Sequence, residues 1–278
     1  CEVEASAKNN FMPTAADIAP HIKDAVILAL CSPQNPTGTT FTKEALEAIC
    51  DMVLEENKRR GAGEKKLYVL YDQMYWQLTY GDIRHYDPVS LRPQMKAYTV
   101  YIDAISKCFA ATGVRVGWAM GPEAIMSKMK AILSHVGAWA PMAEQKAVAR
   151  FLLQYDDINN YLQHFKAEIS LRLQKIYNGF MRLKAEGLPV DAIAPQAAIY
   201  LTVRVTARGM KTTSEQLLEQ QKDVTGYLLN EAGIALVPFY AFGASKDSSW
   251  YRLSVGACKK EEIDAMIEAL AQALRKLK

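Results

Sequence analysis

Short apolar runs alternate with helix-like periodicity along roughly the first 120 residues, and each run ends at a turn or a polar residue. Residues 24–31, Asp-Ala-Val-Ile-Leu-Ala-Leu-Cys, read as a buried strand running into the turn Asn35-Pro-Thr-Gly38, because the apolar positions are continuous instead of alternating. Over residues 42–59 the spacing changes. Leu46, Ile49, Cys50 and Val53 recur at intervals of three and four, which predicts a helix with one apolar face. Residues 67–71 predict a strand that carries Asp72 at its end, followed by a polar loop around His85-Tyr-Asp-Pro88. Residues 98–102 and 116–120 predict two further strands on either side of Lys107 and Arg115.

From about Glu123 the pattern is helical for some sixty residues, and the polar stretch Tyr155-Asp-Asp-Ile-Asn-Asn160 marks the start of a long connecting helix. Beyond it come a strand at 198–205, a helix at 214–231, strands at 234–238 and 251–255, and a last helix whose Ile263, Met266, Ile267, Leu270 and Leu274 form a core-facing stripe. Alternation of this kind predicts an α/β protein: a large domain built on a mostly parallel sheet over residues 1–157, and a smaller α/β domain over residues 158–278 that includes the connecting helix.

Composition narrows the class. Half of the 278 residues are apolar, enough for a sizeable core. The 33 basic and 30 acidic residues leave a net charge of +3 and are dispersed, so nucleic acid is not an expected partner. The densest basic stretch, Lys58-Arg-Arg60, reads as part of a solvated, glycine-flanked turn. Five cysteines, Cys1, Cys31, Cys50, Cys108 and Cys258, are odd in number and lack metal-ligand spacing, which suits free thiols in a reducing, cytoplasmic setting. His21, His85, His135 and His164 form no pairing that suggests a metal or a nucleophilic triad, so no metal site is expected. No apolar run reaches the ~20 residues that a membrane-spanning helix requires, and a membrane is not an expected partner.

The chemistry lies in four signals in fixed order: Asn35-Pro-Thr-Gly38, Asp72-Gln-Met-Tyr75, Ser106-Lys107 and Arg115. Pyridoxal phosphate needs an amine for its aldehyde, an anion at its ring nitrogen, donors at its phenolic oxygen and a cation at its phosphate. Lys107, Asp72, the pair Asn35 and Tyr75, and Arg115 match those needs in turn. Taken singly, each residue has a plainer reading: turn, surface lysine, helix cap, packing aromatic or ion pair. Their order and their positions at strand ends are what make the set informative.

Three longer segments, Ser32-Pro-Gln-Asn-Pro-Thr-Gly38, Tyr71-Asp-Gln-Met-Tyr-Trp76 and Ser106-Lys-Cys-Phe-Ala-Ala-Thr-Gly-Val-Arg-Val-Gly-Trp118, resemble the fold type I aminotransferases of the aspartate aminotransferase superfamily. Pro195-Gln-Ala-Ala-Ile-Tyr200, Val237-Pro-Phe-Tyr-Ala-Phe-Gly243 and Tyr251-Arg-Leu-Ser-Val-Gly256 resemble later family segments in the same order. The resemblance implies transamination between an L-amino acid and a 2-oxo acid, with 2-oxoglutarate as the expected acceptor. Lys107, Asp72 and Tyr75 would be catalytic, with Lys107 as the Schiff-base residue. Asn35, Ser106 and Arg115 would complete the cofactor set, and Arg252, with Asn35, would take the substrate α-carboxylate. Ser106 is included because many relatives place a hydroxyl three residues before the lysine, where this chain has Ala104.

A homodimer is likewise implied by resemblance. So is a preceding segment with a phosphate-capping turn and a ring-stacking aromatic, which makes the chain read as the C-terminal portion of a longer protein, active only with that portion supplied. Two alternatives stay open on these residues: a carbon–sulfur β-lyase using the same cofactor, and an aminotransferase-like effector domain of a transcription regulator.

Overall fold

The computed structural model describes residues 1–278. Their contacts divide into two compact units: residues 1–34 with 39–164, and residues 35–38 with 165–278. No helix is long and apolar enough to cross a membrane.

The first unit opens with a helical turn, α1 (Ala15–Ile18), closed by a capping box between Thr14 and Asp17. Strand β1 (Ile27–Cys31) follows and then α2 (Lys43–Arg59). Thr42 is the N-cap of α2, its side chain accepting from the Ala45 N–H at 3.2 Å. Glu44 in the first turn, with Lys58 and Arg59 in the last, complements the helix dipole. The expected apolar face is present, since Leu46, Ile49, Cys50 and Val53 are all buried in one core cluster with Val69 and Tyr71. Strand β2 (Tyr68–Asp72), the turn α3 (Pro88–Leu91), strand β3 (Thr99–Ala104), the turn α4 (Ile105–Cys108) and strand β4 (Gly117–Met120) complete the sheet. Its order is β1-β2-β3-β4, parallel except for the antiparallel last pair.

Two expectations for this unit are corrected. The first strand is not wholly buried: Val26 and Ile27 are 40% and 61% exposed, because β1 is an edge strand of the four-stranded sheet. Arg60 is not part of a solvated turn. It is the C-cap of α2 and 5% exposed, with its guanidinium bonded to Glu56 Oε1 and to the carbonyls of Ile22, Lys23 and Lys65.

Helices α5 (Glu123–Val136) and α6 (Met142–Phe151) follow β4. The long helix α7 (Tyr155–Ala185) starts where the polar stretch predicts, and the division between units falls within it.

In the second unit, β5 (Val190–Ala192), β6 (Tyr200–Val205), α8 (Gln221–Ala232), β7 (Val237–Pro238), β8 (Trp250–Ser254) and α9 (Ile263–Arg275) build an antiparallel sheet of order β5-β6-β8-β7 with helices against it. Ile263, Ile267, Leu270 and Leu274 are buried as the periodicity requires, and Met266 is half-buried. Helix α9 lies so close to α7 that a Cβ at Gly179 would stand 2.6 Å from Ile267. Helix α8 begins seven residues later than its periodicity suggests. The Thr212 hydroxyl bonds Ser214 Oγ and the Gln216 N–H, holding residues 212–216 in a turn. The helix then starts at a capping box formed by Gln220 and Asp223.

Candidate functional site

The first unit gathers Asp72, Tyr75, Ser106, Lys107 and Arg115. Asp72 is the last residue of β2, in register with Cys31 of β1 and Ile102 of β3, so it lies at the carboxyl end of the central parallel strands. Such ends are where open α/β sheets hold their ligands. The Asp72 Oδ1 accepts from the Met74 N–H at 2.9 Å and shapes the loop that follows, leaving Oδ2 for another donor. Tyr75 lies within that loop and is buried, with its carbonyl accepting from Leu78.

One strand over, β3 delivers the chain to α4. Ser106 and Lys107 are half-buried there. The Ile105 N–H reaches the Val116 carbonyl at 3.3 Å, which brings Arg115, on the approach to β4, beside the turn that carries Ser106 and Lys107. Arg115 is exposed, adopts a left-handed backbone at φ 61°, and donates from Nη1 to the Thr112 carbonyl at 2.8 Å.

Three contacts fix the Asp72–Trp76 loop against the Lys107 corner. The Gln73 N–H donates to the Ile102 carbonyl at 3.0 Å, and the Cys108 thiol to the Met74 carbonyl at 3.3 Å. The Trp76 Nε1–H donates to Asp103 Oδ2 at 2.9 Å. Asp103 is 6% exposed, and burial raises its carboxyl from an ordinary 3.8 to about 6, with the Asp72 charge acting in the same direction. Neither Asp103 nor Cys108 stands out in the sequence motifs. The only local signal for Asp103 is a charged residue ending an otherwise apolar strand.

The second unit holds Asn35 and Arg252. Residues 35–38 lie along β6: Thr202 Oγ1 donates to the Thr37 carbonyl at 2.8 Å and the Ala197 N–H to the Gly38 carbonyl at 2.8 Å. Gly38 has φ +70°, and a Cβ there would stand 2.3 Å from the Tyr200 carbonyl oxygen. Arg252 belongs to β8, paired with Thr202 on one side and Val237 on the other. Its guanidinium carbon lies 4.7 Å from the Tyr200 ring centroid and 4.8 Å from that of Phe242. Nη1 donates to Asn35 Oδ1 at 2.9 Å, while Nε is buried without an acceptor. A planar two-oxygen anion satisfies such a guanidinium better than any point acceptor does.

The sequence placed Asn35, within the span of the larger domain, in both the cofactor set and the substrate set with Arg252; the structure groups it with Arg252 in the second unit.

A family model for class I and II aminotransferases matches residues 1–270. The chain belongs to that family. An aspartate aminotransferase of Geobacillus stearothermophilus is 31% identical over 251 residues, covering 87% of this chain and 57% of the relative. A probable aspartate/prephenate aminotransferase of Rhizobium leguminosarum bv. phaseoli is 28% identical over 263 residues, covering 93% of this chain and 61% of the relative.

Among solved structures, the aspartate aminotransferase of Rhizobium meliloti matches with a TM-score of 0.83 at 25% identity, over 99% of this chain and 64% of that one. An aromatic aminotransferase from Pyrococcus horikoshii matches with a TM-score of 0.84 at 26% identity, over 99% and 66%. The chain thus spans about three-fifths of the length of these aminotransferases.

Class I and II aminotransferases generally depend on pyridoxal phosphate, and the first unit's donor set fits that group. It has an amine, a carboxylate with one oxygen uncommitted to its own loop, a phenol and a guanidinium, all on the exits of β2 and β3 or the approach to β4.

Proposed function

We propose that this chain carries the lysine-bearing part of a pyridoxal-phosphate-dependent aminotransferase, which moves an amino group from an L-amino acid to a 2-oxo acid, 2-oxoglutarate being the expected acceptor. Bound to these residues, the cofactor would supply an aldehyde for the Lys107 amine and a ring able to take up the electrons of the substrate's Cα–H bond.

The chain's own residues do the rest. Lys107 Nζ, freed by the incoming amino acid, takes the α-proton and returns a proton later in the cycle. Asp72 keeps the ring nitrogen protonated by presenting an anion to it. Tyr75 and the amide of Asn35 donate to the phenolic oxygen. Arg115 and Ser106 hold the phosphate, and Arg252 binds the α-carboxylate of the amino acid. The names of the relatives support aspartate or an aromatic amino acid as the donor, with prephenate, a 2-oxo acid, as an acceptor. Family resemblance extends the proposal to a homodimer.

The observation that carries this reading is the adjacency of Asp72 and the Lys107 corner at the exits of neighbouring parallel strands, joined by the Gln73–Ile102 and Cys108–Met74 bonds. Borohydride reduction of the intact, cofactor-loaded protein followed by peptide mapping tests it. The label is expected on Lys107. Label on another residue, or turnover near the parental rate in Lys107→Ala, would overturn it.

A further inference from the structure

Asp103 has no part in the scheme above, yet its carboxylate accepts from three donors near Lys107. It is the penultimate residue of β3, four residues before the lysine, and is 6% exposed. Oδ1 accepts from the Ala104 N–H at 2.7 Å, at the start of the corner that carries Ser106 and Lys107. Oδ2 accepts from the Trp76 indole at 2.9 Å, and the Gln73 side chain donates to the same carboxylate. Gln73 and Trp76 are the two ends of the loop between Asp72 and the rest of the chain, with Tyr75 inside it. One carboxylate therefore grips both segments that bear the proposed chemistry.

Keeping a charge there is unfavourable, because burial and the neighbouring Asp72 both disfavour the ionised form. A neutral amide could fill the same volume. What it could not do is accept from the Ala104 amide, the Trp76 indole and Gln73 together, since its nitrogen only donates. An anion accepting several N–H donors makes shorter and stronger bonds than neutral pairs do. The Cys108 thiol adds a second fastening one residue beyond the lysine, on the carbonyl of Met74.

We infer that Asp103 is a positioning residue for the transamination proposed above: acting through Trp76 and the Ala104 amide, it holds the Asp72–Tyr75 loop at a fixed distance from Lys107. The inference rests on that proposal for its reaction and on this geometry for its residue. A shift of about 1 Å between groups that must act together costs up to roughly a hundredfold in rate, so the effect is readable.

The test uses the intact, cofactor-loaded protein with Asp103→Asn, Trp76→Phe and the double variant. The pH titration of the bound cofactor's absorbance, kcat and KM for the amino acid, and thermal unfolding of the cofactor-free protein are measured for each. Either single variant should move the titration midpoint and lower kcat by roughly tenfold or more while KM changes little, and the double variant should be no worse than the more affected single one. Trp76→Phe leaves the buried acid in place, so it reads the same coupling if Asp103→Asn fails to fold. Variants that lose thermal stability but keep the parental titration and kcat would reduce Asp103 to a structural clamp and overturn the inference. Borohydride labelling of the parent separates the two claims. Labelled Lys107 with unaltered variant titrations overturns only the role of Asp103, whereas an unlabelled Lys107 overturns the reaction and the role together.

Discussion

Arg252 and Asn35, 217 residues apart in the chain, are joined by a hydrogen bond of 2.9 Å from the guanidinium Nη1 to the amide Oδ1. The bond decides which way the amide faces: with the oxygen given to arginine, the amide nitrogen is the end left to donate. It also leaves the guanidinium with charge to spare, because a neutral acceptor does not cancel it. Asn35→Asp should reverse both properties by setting a carboxylate against Arg252. KM for the amino acid is expected to rise by roughly tenfold or more, in line with a charge-assisted pair competing for the same donors. Steady-state kinetics on the intact protein check this, and an unchanged KM would remove Arg252 from substrate binding.

Gly38 fixes where Asn35 stands. Its φ of +70° is open to glycine, and a Cβ would overlap the Tyr200 carbonyl at 2.3 Å, so Gly38→Ala forces the 35–38 segment off β6. Left-handed strain and overpacking together predict a loss of about 2–5 kcal/mol, read as a lower denaturant midpoint with an unchanged slope. Gly209, also at positive φ but with nothing within 4 Å, should lose only the backbone part, about 1–2 kcal/mol.

Local pattern carried the elements and not the ties between them. The α2 face was legible because Leu46, Ile49, Cys50 and Val53 repeat at helical spacing, and β2 because residues 67–71 are apolar without a break. Strand β5 was not, since it has three residues with Asp191 in the middle. The start of α8 was missed because a threonine side chain at 212 competes for nearby amides, which hydrophobic periodicity does not register. Arg60 looked like surface charge, and its burial depends on carbonyls at positions 22, 23 and 65 that no window around it contains. The candidate residues themselves were legible by chemistry and order. The grip of Asp103 on the Gln73–Trp76 loop was not, because it depends on partners some thirty residues away.

Breaking the Arg60 cluster should be costly for the same reason that it was hidden. Its side chain is 3% exposed and Glu56, on which it bonds, 9%. The hydrogen bond from Arg59, with that of Arg60, holds the Glu56 carboxyl down to about 2. Arg60→Met takes a donor away from three carbonyls, of which Ile22 keeps the Ala25 N–H, and from part of a buried carboxylate, and about 3–5 kcal/mol of stability is expected to go. Lys58→Met, which removes an exposed pair with Glu55, should change stability by less than about 1 kcal/mol. Urea titrations of the two variants side by side give the comparison.

Asp103 also predicts a pH dependence with a definite sign. Its folded value of about 6 lies above the ordinary 3.8, so between these values the folded chain binds more protons than the unfolded one. The contribution to stability is therefore fully present below about pH 4 and is lost as pH rises through 6. A shift of about two units corresponds to roughly 3 kcal/mol. Other carboxylates such as Glu56, whose value is lowered, run in the opposite sense, so the parental curve alone does not isolate the effect. The difference between the parent and Asp103→Asn does. Subtracting the variant's unfolding free energy from the parent's at each pH should give a value that falls by up to that amount from pH 4 to pH 7. A flat difference would mean that Asp103 titrates at its ordinary value and that the carboxylate is not under the strain that its burial and the Asp72 charge imply.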